Sequence, residues 1–166
     1  MSSRVLSVAD WDVDDFQLHI EAGVSIWDGV HRVLENAGIR FAQLEFSPGL
    51  LDVAVYHTAP PEQSGKTLVK YGAGIHLGRA LLFSANAIYG AGFNGSPLLH
   101  CHGFLVDVND AMHGGHLDVV NCIAGAAGLN VQVGATPNIG FEADLDRTSN
   151  MHIFHPVKRE GPSHGI

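Results

Sequence analysis

The stretch "LLHCHGFLVDVNDAMHGGHLD", residues 98–118, holds four histidines in 21 positions. In a strand, residues i and i+2 point to one face. His100 and His102 therefore project together and Cys101 points the other way. Asn109 and Asp110 follow as turn formers. A hairpin centred on Asn109 sets His102 opposite His116 and His100 opposite Asp118. Directly opposed residues have Cβ atoms about 4.5–5.5 Å apart, and diagonal ones about 7–8 Å. Three imidazoles at such spacing reach one ion at about 2.0–2.1 Å each. His113 faces away in this register. Gly114-Gly115, just before the third imidazole, suits a bulge or the close approach of another backbone. A lone strand histidine is more often packed or hydrogen-bonded than a ligand; the HxH pair plus a third residue placed by the hairpin favours metal.

Three histidines leave a fourth coordination position open, whereas a closed structural zinc site has four protein ligands. An open site of neutral donors activates water or polarises a carbonyl or carboxylate. Asp118 has three readings: a fourth ligand, a hydrogen-bond partner orienting an imidazole, or an exposed strand residue. The second is favoured. Glu142, from a polar loop, is the candidate proton-moving group, against a plain solvated acid. Arg79, alone in the apolar "HLGRALLF", is either a clamp for a substrate carboxylate, half of a buried ion pair, or an outward strand position. Tyr56 and His57 end a strand and either line the same pocket or belong to core and rim. His152 and His155, three apart, face opposite ways on a strand and read as structural. His76 and His164 receive no role, and Trp11 and Trp27 read as packing residues.

The elements that must carry these residues follow from periodicity. A chain of 166 residues with 46% apolar and 16% charged residues fits one globular domain. Residues 4–8 and 16–20 alternate as strands. Ile26, Val30, Val33, Leu34 and Ala37 form one helical stripe over 25–37, opened by a Ser25/Asp28 capping box and stopped at Gly38. "IRFAQLEFSPG" and "LLDVAVYHT" are strands joined at Pro48-Gly49. Residues 59–66 are a loop, 77–89 hold one or two strands, "FNGS" is a turn, and 98–107 is a strand. "LDVVNCIAGAAG" fits helix or strand equally, "LNVQVGA" is a strand, "IGFEADLDRTSN" is mostly loop and "MHIFHP" a short strand. The expected class is α+β: a mainly antiparallel sheet with one principal helix packed on it.

The net charge of −8, with nine scattered basic residues of which only Lys158 and Arg159 adjoin, argues against nucleic-acid and membrane-surface partners. No signal-peptide core and no run of 18 apolar residues occurs. Cys101 and Cys122 read as thiols of a soluble protein in a reducing, cytoplasmic setting.

"HCHGFLVDVNDAMHGGHL" resembles the signature of the plants-and-prokaryotes conserved (PPC) domain, HxH followed by a turn and GGH. "FQLHIEAGVSIWDGVHRVLENAGIRFAQLEF", "LLFSANAIYGAGFNGSPLLHCH" and "GFEADLDRTSNMHIFHP" are similar to other segments of stand-alone bacterial members. The resemblance covers about residues 16–156. It implies a single domain that assembles as a homotrimer, and a metal, zinc first, on His100, His102 and His116 near a subunit boundary; "VKREGPSHGI", residues 157–166, reads as a flexible tail after a domain over 1–156. It implies no one reaction. The chain lacks the Arg-Gly-Arg-Pro hook that precedes the domain in plants, and "FEADLD" has acids where closing segments are richer in arginine. Two functions stay open: an enzyme using the metal for hydrolysis, hydration or elimination, or isomerisation of a small oxygenated acid, and a non-catalytic trimeric scaffold or regulatory, DNA-associated module with a structural metal.

Overall fold

The computed structural model describes residues 13–159. The strand expected at 4–8, Trp11 and His164 lie outside them. The elements run β1 (Asp14–Ile20), α1 (Ile26–Asn36), β2 (Ala42–Phe46), β3 (Gly49–His57), β4 (Ile75–Ala91), β5 (Pro97–Asp107), β6 (Met112–Leu117), β7 (Ile123–Ala124), β8 (Leu129–Ala135), β9 (Ile139–Asp146) and β10 (Met151–Lys158). This is the expected mainly antiparallel sheet with one short helix.

The helix begins where its cap chemistry dictates. Ser25 Oγ accepts from the Asp28 N–H at 3.0 Å and donates to the Asp28 carboxylate at 2.8 Å. This pairing satisfies a backbone donor that the first helical turn leaves over. Gly38, at φ +69°, reverses the chain after the last turn. Ile26, Val30 and Leu34 are fully buried in a core that includes Ile20, Leu44, Phe46 and Val131. The helix approaches β1 closely at Gly29, where a Cβ would collide with Ile20. Ser25→Ala is expected to cost about 1 kcal/mol, read as a Tm lower by roughly 2–4 °C for a domain of this size.

The long strand β4 organises the sheet. On one edge it pairs with β2 and then β3, which follow each other along it past Ser47-Pro48 rather than pairing together. On its other edge lies β5 over eleven residue pairs. β5 pairs with β6, β6 with β3, and β3 returns to β4, so four strands close on themselves. Closure leaves that part of the sheet without a free edge. From β2 the open wing continues through β8 to β1. Alternation assigns the faces. Ala85, Ala87, Tyr89, Leu99 and Cys101 are buried, while Asn86, His102 and their neighbours of the same parity face outward. Both cysteines are buried and free; burial, with a smaller effect of Cys122, pushes the Cys101 thiol up to about 12, and burial pushes Cys122 up to about 11.

Three expectations need correction. "IGFEADLDRTSN" is not mostly loop: residues 139–146 form β9, paired along its length with β10 and touching β4 at Ala91–Glu142. The turn after it is closed by Asp146, whose carboxylate accepts from the Thr148 and Ser149 amides and the Ser149 hydroxyl. The "LDVVNCIAGAAG" stretch is neither a full helix nor a full strand, but a turn over Asp118–Cys122 followed by the two-residue β7. At the C-terminal end, Val157 and Lys158, the first two residues of the expected tail, still pair with Gly140 and Ile139.

Candidate metal centre

The hairpin of β5 and β6 has the register expected from a turn centred on Asn109. His102 pairs with His116, Gly103 with Gly115, Phe104 with Gly114, Leu105 with His113 and Val106 with Met112. The turn is tied by Asp107, whose Oδ1 accepts from the Asn109 and Ala111 amides at 2.8 and 3.0 Å. No bulge interrupts it. The glycine pair instead serves close approach: a Cβ on Gly115 would overlap the His57 carbonyl and crowd the Tyr56 ring.

The result is one cluster. Ring nitrogens of His100, His102 and His116 lie within 4.8 Å of one another. Ring centroids are separated by 4.8 Å (His100–His102), 4.7 Å (His100–His116) and 5.4 Å (His102–His116). His116 Nδ1 is buried without a hydrogen-bond partner. Buried ring nitrogens are normally satisfied, and an orphan calls for an explanation such as an ion. Burial lowers the pKa of all three. The proximity of His102 adds to the effect at His100, and His116 is pushed down to about 4 by burial, then by His100, His102 and His57, with Asp118 opposing. Neutral imidazole is the form that binds metal, so this environment keeps the donors ready. The donor set therefore fits a divalent ion of the zinc, copper or nickel type.

The two sides of the cluster differ. Beside His102 and His100 the sheet face forms an open groove of roughly 520 Å³, lined also by Gln43, Asn86 and Ile88. Beside His116 the space is filled. Tyr71 meets the His116 ring edge-on at 5.4 Å, and the His57 ring lies 6.3 Å away. His57 Nδ1 donates to the Gly72 carbonyl at 3.0 Å, and its Nε2 is 3.8 Å from Asp118. Phe154, from β10, stands edge-on 6.4 Å from His100.

Among solved structures, a metal-containing protein from Archaeoglobus fulgidus matches with a TM-score of 0.73 at 19% identity, over 90% of this chain and 99% of that one. A plant- and prokaryote-conserved protein from Pyrococcus horikoshii matches with a TM-score of 0.69 at 17% identity, over 96% of this chain and all of that one. The fold is that of the PPC domain. A third match, to a candidate DNA-binding protein from Ralstonia eutropha, has a TM-score of 0.68 at 14% identity over 83% and 88% of the two chains. No family model matches the sequence, and no characterised relative is found.

Within this PPC fold the other expected site residues are dispersed. Asp118 is not opposite His100, because the β5–β6 ladder ends at His102–His116 and the Asp118 amide turns to the Val55 carbonyl at 2.9 Å. Its carboxylate accepts from Asn121 and faces His57. Burial tends to raise the Asp118 pKa, but the Asn121 hydrogen bonds and then His57 outweigh it and leave the carboxyl below its usual value. Glu142 lies on β9 and accepts from Arg159 at 3.0 Å. Arg79 is an exposed position of β4, 3.8 Å from Asp52. Neither touches the three histidines. His113 points to the opposite face, as expected: the Tyr56 hydroxyl bonds its Nδ1 at 3.1 Å and Nε2 donates to Asp107 at 2.9 Å. His152 packs on Phe93, His155 pairs with Glu142 in the β9–β10 ladder, and His76, the second residue of β4, lies opposite Val55. Tyr71 and Phe154 carried no sequence signal. They reach the cluster from a long loop and a distant hairpin.

Proposed function

We propose that the protein binds one divalent metal ion, zinc, on His100, His102 and His116, and that the open groove beside them admits a small oxygenated acid as the ion's guest. The observation that carries this reading is the convergence of three neutral imidazoles, one of them with an orphaned buried nitrogen. The metal-containing description of the Archaeoglobus protein, which shares the fold, supports it. When bound, the ion supplies Lewis acidity to an oxygen of its guest. His57 and Asp118 stand beside His116: His57 Nδ1 donates to the Gly72 carbonyl, which leaves Nε2 facing the Asp118 carboxylate at 3.8 Å. The reaction classes open to this arrangement are hydrolysis, hydration or elimination, and isomerisation.

Self-association as a homotrimer belongs to the same proposal. Phe104 and Met112, 57% and 69% exposed, lie on the outward face of the metal-bearing hairpin, the kind of surface a second copy covers. Light scattering at three chain masses is expected; a single-chain mass contradicts it. DNA is not the proposed partner. That description belongs to the Ralstonia protein, whereas this chain has a net charge of −8. Among the described residues no helix is long and apolar enough to cross a membrane.

Metal analysis of wild type beside His102→Ala tests the site. His102 is exposed, so its truncation spares the core. About one metal ion per chain is expected in the wild type, lost in the variant while circular dichroism stays unchanged. Well-folded wild type that takes up no zinc when supplied with it overturns the reading.

A further inference from the structure

A second crevice, of roughly 310 Å³, lies between the C-terminal half of α1 and the end of β4. It shares no lining residue with the histidine cluster. Its size is at the low end of small-molecule sites, which run from about 300 Å³. His31 and Glu35 line it from the helix, Tyr89 from β4, and Ile39, Arg40 and Phe41 from the segment that Gly38 turns back toward the sheet.

The polar lining groups carry both signs of charge. Tyr89 is only 3% exposed and its hydroxyl bonds His31 Nδ1 at 2.7 Å. Burial, and then the charge of Glu35, raise the phenol's pKa, so the hydroxyl stays protonated. The other ring nitrogen of His31, Nε2, lies 3.7 Å from the Glu35 carboxylate. The His31 ring is also stacked on Trp27 at 4.7 Å, which fixes its plane. The Arg40 guanidinium, which also lines the crevice, lies over the Phe41 ring at 5.5 Å. Among the described residues no carboxylate pairs with Arg40, and no ion pair joins it to Glu35. A cation and an anion thus line one cavity without meeting, with Ile39 and Phe41 as the apolar wall.

We infer that this crevice binds a free α-amino acid with an apolar side chain. Its carboxylate pairs with Arg40, its ammonium group with Glu35, and its side chain lies on Ile39 and Phe41. A guanidinium matches a carboxylate through two parallel hydrogen bonds. A simple carboxylic acid would leave Glu35 with only the 3.7 Å approach of His31, and a simple amine would leave Arg40 unanswered.

Isothermal titration of the metal-loaded protein with L-leucine, 4-methylpentanoate and 3-methylbutylamine tests this. Saturable binding of one leucine per chain is expected, with each half-ligand weaker by about tenfold or more. Arg40→Gln and Glu35→Gln, both at exposed positions, are each expected to weaken leucine binding by a similar factor while circular dichroism is unchanged. His102→Ala is expected to bind leucine normally, since the crevice does not depend on the metal. The inference is overturned if neither leucine nor L-phenylalanine binds saturably at millimolar concentration. It is equally overturned if 4-methylpentanoate binds as tightly as leucine, if both glutamine variants keep full affinity, or if His102→Ala abolishes binding.

Discussion

Gly115→Val is expected to lower stability by roughly 3 kcal/mol and to abolish metal binding with it. The new Cβ would overlap the His57 carbonyl and press on Tyr56 Cδ2 at 3.1 Å. A backbone carbonyl cannot rotate away as a side chain does. Relief requires β6 to separate from β3, which breaks the Tyr56–Leu117 and His57–His116 pairs. Those pairs close the four-strand ring and seat His116 in the cluster, so one clash is felt by both fold and site. Val108→Ala, at the turn of the same hairpin and 74% exposed, is expected to stay within about 0.5 kcal/mol of wild type. Urea unfolding of the two variants, with metal content measured on the same samples, checks the contrast. Equal midpoints would show that the close approach at Gly115 carries no energy.

Acid is expected to release the metal between about pH 6.5 and pH 4. Burial, joined by mutual repulsion at His100 and His116, lowers all three imidazole pKa values, His116 from 6.5 to about 4. The folded protein therefore resists protonation at pH values where a free histidine is already charging. As the pH falls further the imidazoles take up protons in turn, and each proton displaces a bond to the ion. The metal-free protein is expected to weaken over the same range. Its unfolded chain protonates His116 near 6.5 and its folded form only near 4. The unfolded state thus binds more protons in this window, and stability, fully present above 6.5, is lost as the pH falls toward 4. Metal retained after dialysis across this range, beside denaturant midpoints of the metal-free protein, measures both effects. Full retention of metal at pH 4 would exclude the three histidines as its main ligands.

The hairpin was legible because its information is local. Asn109 and Asp110 mark the reversal, and strict alternation then fixes which histidines share a face. The helix was legible for the same reason, since Ser25, Asp28 and Gly38 mark its ends on a continuous apolar stripe. β9 was missed because its burial does not alternate. Gly140 and Phe141 are both buried, and the acids of "FEADLD" sit on a hairpin joined to the main sheet by a single bridge. Asp118 was misplaced because counting along a hairpin assumes that pairing continues. Here a third strand, β3, captures the Asp118 amide through Val55. The surroundings of His116 were hidden for a related reason. Tyr71 belongs to a loop 45 residues upstream, and nothing in its neighbours announces where that loop folds back.

X-ray absorption at the zinc edge of the reconstituted protein tests the central claim most directly. The account predicts three imidazole nitrogens at about 2.0–2.1 Å with the remaining position filled by a light, exchangeable oxygen donor, and one fewer imidazole, or no bound zinc, in His102→Ala. A first shell containing sulfur, or a zinc environment unchanged by that substitution, would contradict it.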